Sequence, residues 1–148
     1  MTTVKQILDT KGRNYWSVAP KATVYEALQL MADKDIGALM VVEGRKVVGI
    51  FSERDYARKV ILKGRSSKEM RVSELMTSPV FAVTPDHSVE DCMALMTAKK
   101  LRHLPVIDDN VLSGVISIGD VISAYISAQK ITIRDLESFI YGTEYQEG

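Results

Sequence analysis

One cysteine, two histidines and one tryptophan in 148 residues leave little room for several kinds of chemistry. The lone Cys92 cannot form an internal disulfide. It falls on the apolar side of a predicted helix and reads as a buried thiol, not a redox centre. A metal centre wants three or four ligands from Cys, His or carboxylates, and His87, in the turn before a helix, does not join the others in such a set. No Ser/His/Asp or Cys/His arrangement is readable, and neither a Walker loop nor a dinucleotide glycine fingerprint is present. An excess of one charge is missing too: 19 Lys and Arg balance 19 Asp and Glu, which gives no bulk attraction to nucleic acid or anionic lipid. No apolar run approaches the roughly 18 residues of a membrane span. The N-terminus MTTVKQILDTKGRNYW lacks the apolar stretch of a secretory signal. The expectation is a cytoplasmic protein with no nucleic-acid or membrane partner.

Apolar residues make up 46% of the chain and charged residues 26%, the balance of a folded globular protein. The chain also repeats itself. Val18 to Ile61 lies over Val83 to Ile126 at a constant offset of 65 without a gap, and 12 of the 44 pairs are identical. Among them are Val18/Val83, Pro20/Pro85, Leu39/Leu104, Gly49/Gly114, Ser52/Ser117 and Asp55/Asp120. A repeat this regular means two copies of one supersecondary unit. Each copy is too short for a self-sufficient core, so the copies are expected to pack on each other and to form two like clefts.

Each copy runs the same course. Trp16 to Ala19, or Val80 to Val83, is an extended piece stopped by Pro20 or Pro85. Thr23–Glu26 and Ser88–Asp91 form capping-box starts for helices Val24–Asp33 and Val89–Lys99, whose apolar residues recur at 24, 27, 28, 31 and 89, 92, 93, 96 as one buried stripe. Strand-length apolar runs, Ala38–Val42 and Leu104–Ile107, precede the turns Glu43-Gly44-Arg45 and Asp108-Asp109-Asn110. The second strands, Val47–Phe51 and Val111–Ile116, complete two hairpins. A last helix runs from Ser52 to about Leu62, or from Ser117 to about Ala128. The expected organisation is repeat one with an N-terminal helix (Val4 to Thr10, ended near Gly12) over residues 1–64, a linker at 65–71, repeat two at 72–128, and a C-terminal helix and tail at 129–148. That last helix carries the stripe Ile133, Leu136, Phe139 and Ile140 and closes at Gly142, suited equally to core packing and to a subunit contact. Tyr15, Trp16, Tyr125, Tyr141 and Tyr145, near the ends of the unit, are read as packing aromatics.

The sharpest local signal is the strand-to-helix junction, Gly49-Ile-Phe-Ser52-Glu-Arg-Asp55 and Gly114-Val-Ile-Ser117-Ile-Gly-Asp120. Ser at the N-cap with Asp at N3 is a variant capping box, which stabilises a helix start by about 1 kcal/mol. Glycine in a strand allows close backbone approach. The same atoms suit a ligand: a helix N-terminus attracts an anion, the serine adds a hydroxyl, and the aspartate accepts from a vicinal diol. Phosphate donor and diol acceptor one turn apart match a ribose phosphate.

The repeat, the hairpin and the doubled junction together resemble the CBS domain, named for its occurrence in cystathionine β-synthase; two in tandem resemble a CBS pair, or Bateman module. The match covers about residues 1 to 130. The resemblance implies an α/β (α+β-type) fold, two β-α-β-β-α repeats about a pseudo-twofold axis with terminal helices. It also implies binding of adenosine ligands such as AMP, ADP, ATP, S-adenosylmethionine or NAD, in a sensor rather than a catalyst, with no catalytic cofactor. Two chains are expected to associate as a flat homodimer and to regulate a further, unidentified protein. Carried over by residue, Asp55 and Asp120 hold ribose hydroxyls, and Ser52 and Ser117 contact ribose or phosphate. Ile36-Gly37-Ala38 with Thr77, Pro79 and Val80 wrap the adenine of the first cleft. Leu101-Arg102-His103 and the Asn14 to Val18 stretch do so in the second.

The two copies differ at the places that hold phosphate. Copy one has Arg54, Arg58 and Lys59 where copy two has Gly119, Ser123 and Ala124, and copy two has Arg102-His103 where copy one has Gly37-Ala38. The Asp55 cleft is therefore expected to gather Arg54, Arg58, Lys59, Arg102 and His103 as the stronger phosphate site, and Gly119 weakens the case at Asp120. A solvated helix face accounts for the first three equally well. Two rival functions stand beside the nucleotide sensor: a ligand-independent association scaffold, in which the junctions only cap helices, and an enzyme acting on bound nucleotide, for which His103 is the one candidate base.

Overall fold

A computed structural model describes residues 2–129 and 133–141. Helix α1 (Val4–Lys11) is followed by β1 (Ser17–Val18), α2 (Val24–Lys34), β2 (Ala38–Glu43), β3 (Lys46–Ser52) and α3 (Glu53–Lys59). After two 3₁₀ turns, Ile61–Lys63 and Val72–Glu74, come α4 (Val89–Lys99), β4 (His103–Asp108), β5 (Val111–Ser117), α5 (Ile118–Ala128) and α6 (Ile133–Tyr141). The architecture is two like α/β units, each a hairpin covered by helices. The side chains of Ile133, Phe139 and Tyr141, and Gly142 and Tyr145 altogether, lie outside the described residues. Among the described residues, no helix is long and apolar enough to cross a membrane.

The repeat extends to its irregularities. Both hairpins slip register at the same place, between Val41 and Val42 and between Val106 and Ile107. The turns are tighter than the sequence suggests, with two residues each. Asp109 and Asn110 both take positive φ (51° and 65°), the twist that a two-residue hairpin turn demands. Five helices start with a capping box: Thr3 with Gln6, Thr23 with Glu26, Ser52 with Asp55, Ser88 with Asp91, Ser117 with Asp120.

Two sequence expectations need correction. The extended piece of copy two is not a strand. Only Val83 bridges to Val106, whereas β1 pairs two residues, Ser17 with Met40 and Val18 with Val41. Pro105 stands where copy one has Met40, and proline has no N–H to give the ladder. The last helix of copy one stops at Lys59, short of Leu62. Val60 turns inward to full burial and distorts the last helical turn (φ −115°, ψ −68°), its N–H still bonded to Tyr56 O. The chain then closes a 3₁₀ turn and reverses at Gly64 in the left-handed region (φ 66°).

Each repeat's core is completed by the segment in front of the other repeat. Val4, Ile7 and Leu8 of α1 join Val83, Val89, Cys92, Met96, Leu104, Val106, Ile116 and Val121 of repeat two. Met70, Val72 and Leu75 join Val24, Ala27, Met31, Leu39, Val41, Phe51 and Val60 of repeat one. The two segments correspond: Val4 N–H donates to His87 O and Val72 N–H to Ala22 O, both at 2.8 Å. Thr3 N–H bonds the Gln6 side chain and Arg71 N–H that of Glu74, also both at 2.8 Å. Leu8 and Met76 then lie on the junction glycines. A Cβ at Gly114 would sit 2.8 Å from Leu8 Cδ2, and one at Gly49 would sit 2.7 Å from Met76 Cγ, closer than real carbon contacts allow. The glycines are there to admit the crossing segment.

Cys92 is wholly buried in the repeat-two core, and burial, with the Asp91 charge behind it, pushes the thiol up to about 11. His87 is held locally, its Nδ1 accepting from Thr84 N–H at 2.9 Å.

Because Leu8 is core to repeat two although it precedes repeat one, Leu8→Ala should cost about 2–5 kcal/mol, the loss of a buried leucine anywhere in the core. Chemical denaturation of Leu8→Ala beside Leu104→Ala checks this; a loss under ~1 kcal/mol would mean that α1 is an ornament.

Candidate functional site

The strand-to-helix junction of repeat one faces the N-terminal end of the repeat-two hairpin. Ser52 ends β3 and caps α3, its hydroxyl accepting from Asp55 N–H at 3.2 Å. The Asp55 carboxylate reaches back, Oδ2 accepting from Ser52 N–H at 3.0 Å and Ser52 Oγ at 3.1 Å. This fixes the Asp55 rotamer and leaves Oδ1 for other partners. From the other repeat, α4 ends at Lys99, and Lys100 takes a left-handed conformation (φ 55°) that turns the chain into Leu101-Arg102-His103.

A cavity of about 390 Å³ lies between these elements. Gly37, Ile50, Ser52, Glu53, Arg54, Asp55, Arg58 and Thr77 line one wall, and Lys99, Lys100, Leu101, Arg102 and His103 the other. Five cationic side chains from two repeats thus face one space beside two carboxylates. Helix α3 has only seven residues, so its dipole is short. The positive potential comes chiefly from side chains.

The structure brings together Gly37, Ser52, Arg54, Asp55, Arg58, Thr77, Arg102 and His103 from the sequence expectation. Ala38, Lys59, Pro79 and Val80 are not among the lining residues. Lys59 is drawn away: its ammonium donates to Leu75 O at 3.0 Å and stands 3.4 Å from Asp55 Oδ1. Val80 lines a separate cavity of about 440 Å³ with Arg45, Lys46 and Pro105. Lys99 and Lys100 escaped the sequence reading. Their signal was available, two lysines at a helix end just ahead of Arg102, but the end of α4 and the Asp55 junction meet only in three dimensions. Lys99 also stands over the Phe81 ring, 5.0 Å from its centroid, as Lys34 stands over Trp16 at 4.3 Å at the equivalent place in copy one.

The Asp120 junction is built alike and surrounded differently. Ser117 N–H donates to Asp120 Oδ2 at 2.8 Å, and Asp120 N–H to Ser117 Oγ at 3.2 Å. The adjoining cavity, about 350 Å³, lies between α1 and α5 and is lined by Gln6, Thr10, Lys11, Asp120, Ser123 and Ser127 among others. Burial works to raise the Asp120 carboxyl, but the Lys11 ammonium and the Ser117 amide outweigh it and hold the group below the usual aspartate value. A side chain at Gly119 would meet nothing closer than Ser117 Oγ at 3.7 Å, so no steric rule puts glycine there.

The two copies share one junction design and a hairpin bulge in the same register, and a charged cleft lies between them. The chain belongs to the CBS-domain family. The family model of the CBS domain matches twice, at residues 4–62 and 72–127. A CBS domain-containing protein of Arabidopsis thaliana named CBSX3, mitochondrial, is 38% identical over 151 residues, covering 95% of this chain and 73% of its own. A solved CBS-domain structure from Burkholderia ambifaria MC40-6 superposes with a TM-score of 0.82 at 52% identity, over 89% of this chain and 99% of that one. The CBS domain pair of protein MJ0100, solved with 5′-methylthioadenosine and S-adenosyl-L-methionine, shares the fold at a TM-score of 0.73 and 24% identity, over 87% and 98%. A CBS pair is a regulatory module, and this chain is one.

His103 lies between the two junctions of the pair. Burial first, and then the Lys11 charge, hold its imidazole below the ordinary 6.5, with Asp120 opposing and Arg102 assisting. A histidine depressed in the fold binds fewer protons than in the unfolded chain, so stability is unaffected above the unfolded value and falls as pH drops below 6.5. The His103 ring resonances should titrate below 6.5, and His103→Gln should lose less thermal stability than wild type between pH 6.5 and 5. Titration at or above 6.5 would contradict the arrangement.

Proposed function

We propose that this CBS pair is an adenine-nucleotide sensor whose principal site is the Asp55 cleft. One observation carries the reading: five cationic side chains drawn from both repeats converge on a cavity that also holds a diol-accepting carboxylate. Phosphates need the cations, because an anion taken from water must recover its solvation from charged donors. A ribose diol needs Asp55. Thr77 and Ile50, joined by a pair of backbone bonds (3.1 and 2.8 Å), offer the flat edge against which a base rests. Protein MJ0100, alike in fold, holds two adenosine compounds, which supports adenosine as the class. AMP, ADP, ATP and NAD fit the charge of the cleft better than a ligand without phosphate.

The ligand lies between the repeats, so it shifts their geometry only through different affinity for two arrangements. A partner protein then reads the change. We read the module as a homodimer without catalytic activity, working in the cytoplasm. Ile140 on α6, 67% exposed, is a candidate for the subunit contact, and energy sensing is the role such a ligand suggests.

The test is a thermal-shift series with AMP, ADP, ATP, NAD, NADH and S-adenosylmethionine on wild type, Asp55→Ala and Arg58→Gln. A site at 100 times its Kd stabilises by about 2.7 kcal/mol, which at this chain length raises Tm by roughly 5–11 °C. The expected result is a rise with at least one phosphate-bearing ligand, abolished in Asp55→Ala and reduced in Arg58→Gln. No rise with any ligand would leave the association scaffold as the function.

A further inference from the structure

The two junctions differ in what already stands against the aspartate. We infer that Lys11 closes the Asp120 cleft, so that this pair takes its nucleotide at Asp55 alone; the inference rests on the nucleotide reading. The Lys11 ammonium lies 2.6 Å from Asp120 Oδ2 and donates to Val115 O, also at 2.6 Å. Val115 corresponds to Ile50, whose carbonyl accepts from Thr77 N–H in the first cleft. An ammonium therefore occupies, in the second cleft, the place that a backbone edge holds in the first. The sequence cause is a divergence of the two crossing segments. After Glu74 the second crossing segment leaves its 3₁₀ turn, and Thr77 bridges to Ile50 of β3. Helix α1 instead continues one turn past Leu8 and ends at Lys11, capped by Gly12 (φ 101°).

Asp55 has a lysine near it as well, but the two cases are unlike. Lys59 sits on the same helix as Asp55, 3.4 Å away, and is outside the cavity lining. Lys11 comes from a different element, lies closer and lines the cavity at Asp120. Lys11 takes the same Oδ2 that accepts from Ser117 N–H. A diol thus has only Oδ1 left and must settle beside an ammonium held by charge-assisted bonds to Oδ2 and Val115 O, and it gains little in return. Gly119 and Ser123 stand where the first cleft has Arg54 and Arg58, and among the described residues the one cation lining the Asp120 cavity is Lys11 itself. Lys11 thus determines how many ligands bind and where.

The experiment is equilibrium dialysis of the full chain with labelled AMP, ADP, ATP and NAD, each in turn, at 0.15 M salt. Wild type, Lys11→Met, Lys11→Arg and Lys11→Met with Asp120→Ala are compared. Methionine keeps the stem and helix propensity while removing the charge, and circular dichroism confirms that each variant is folded. The expected counts are one ligand per chain for wild type and Lys11→Arg, two for Lys11→Met with the new site weaker, and one again for the double variant. Two ligands on wild type, or one on Lys11→Met, would overturn the closure while leaving the nucleotide reading intact. No ligand on any variant would overturn both.

Discussion

The interaction on which the structure depends is the reciprocal crossing of the two leading segments. Neither repeat buries its own hairpin alone: repeat one borrows Met70, Val72 and Leu75 from the chain ahead of repeat two, and repeat two borrows Val4, Ile7 and Leu8 from the chain ahead of repeat one. The exchange requires a place for the crossing side chain to land, and Gly49 and Gly114 provide it by omitting a Cβ. Each junction glycine is followed three residues later by the capping serine. The constraint that locks the copies together therefore also fixes the strand end that presents Ser52–Asp55 and Ser117–Asp120 to the space between them.

From that exchange comes the asymmetry of the clefts. The crossing segments match through Leu8 and Met76 and then part, one as helix and one as extended chain. Their divergent ends decide the chemistry of each cleft: a neutral backbone edge beside Asp55, an ammonium beside Asp120. The basic residues divide the same way. Arg54 and Arg58 from repeat one meet Lys99, Lys100 and Arg102 from repeat two at a single cavity. A pseudo-symmetric scaffold thus carries one cleft lined by five cations and one with Lys11 set across to its aspartate, with His103 between them under the charges of Lys11, Asp120 and Arg102.

Much of the secondary structure was legible because its signals are local. Capping boxes act over three residues, the helical stripes over four, and the hairpin turns over two, so Thr23, Ser88, Ser52 and Ser117 marked helix starts that hold in three dimensions. The misses occurred where a distant or neighbouring residue overrides the pattern. Pro105 withdraws the donor that a second residue of ladder beside Val83 requires, and the burial of Val60 ends α3 against the apolar run beyond it.

The amino-acid sequence by itself determined the doubling, the order of elements within each copy, and the serine and aspartate of each junction. These come from an offset repeat and from short-range hydrogen bonding and periodicity, which need no knowledge of the partner element. Only the tertiary structure decided which copy each leading segment completes, that Lys99 and Lys100 join Arg54, Arg58 and Arg102 in one cavity, that Lys59 turns away to Leu75 O, and that Lys11 reaches across 109 residues of chain to Asp120. Those outcomes depend on how two preformed units pack. Burial of apolar faces settles that packing, and the charged side chains take the positions it leaves to them.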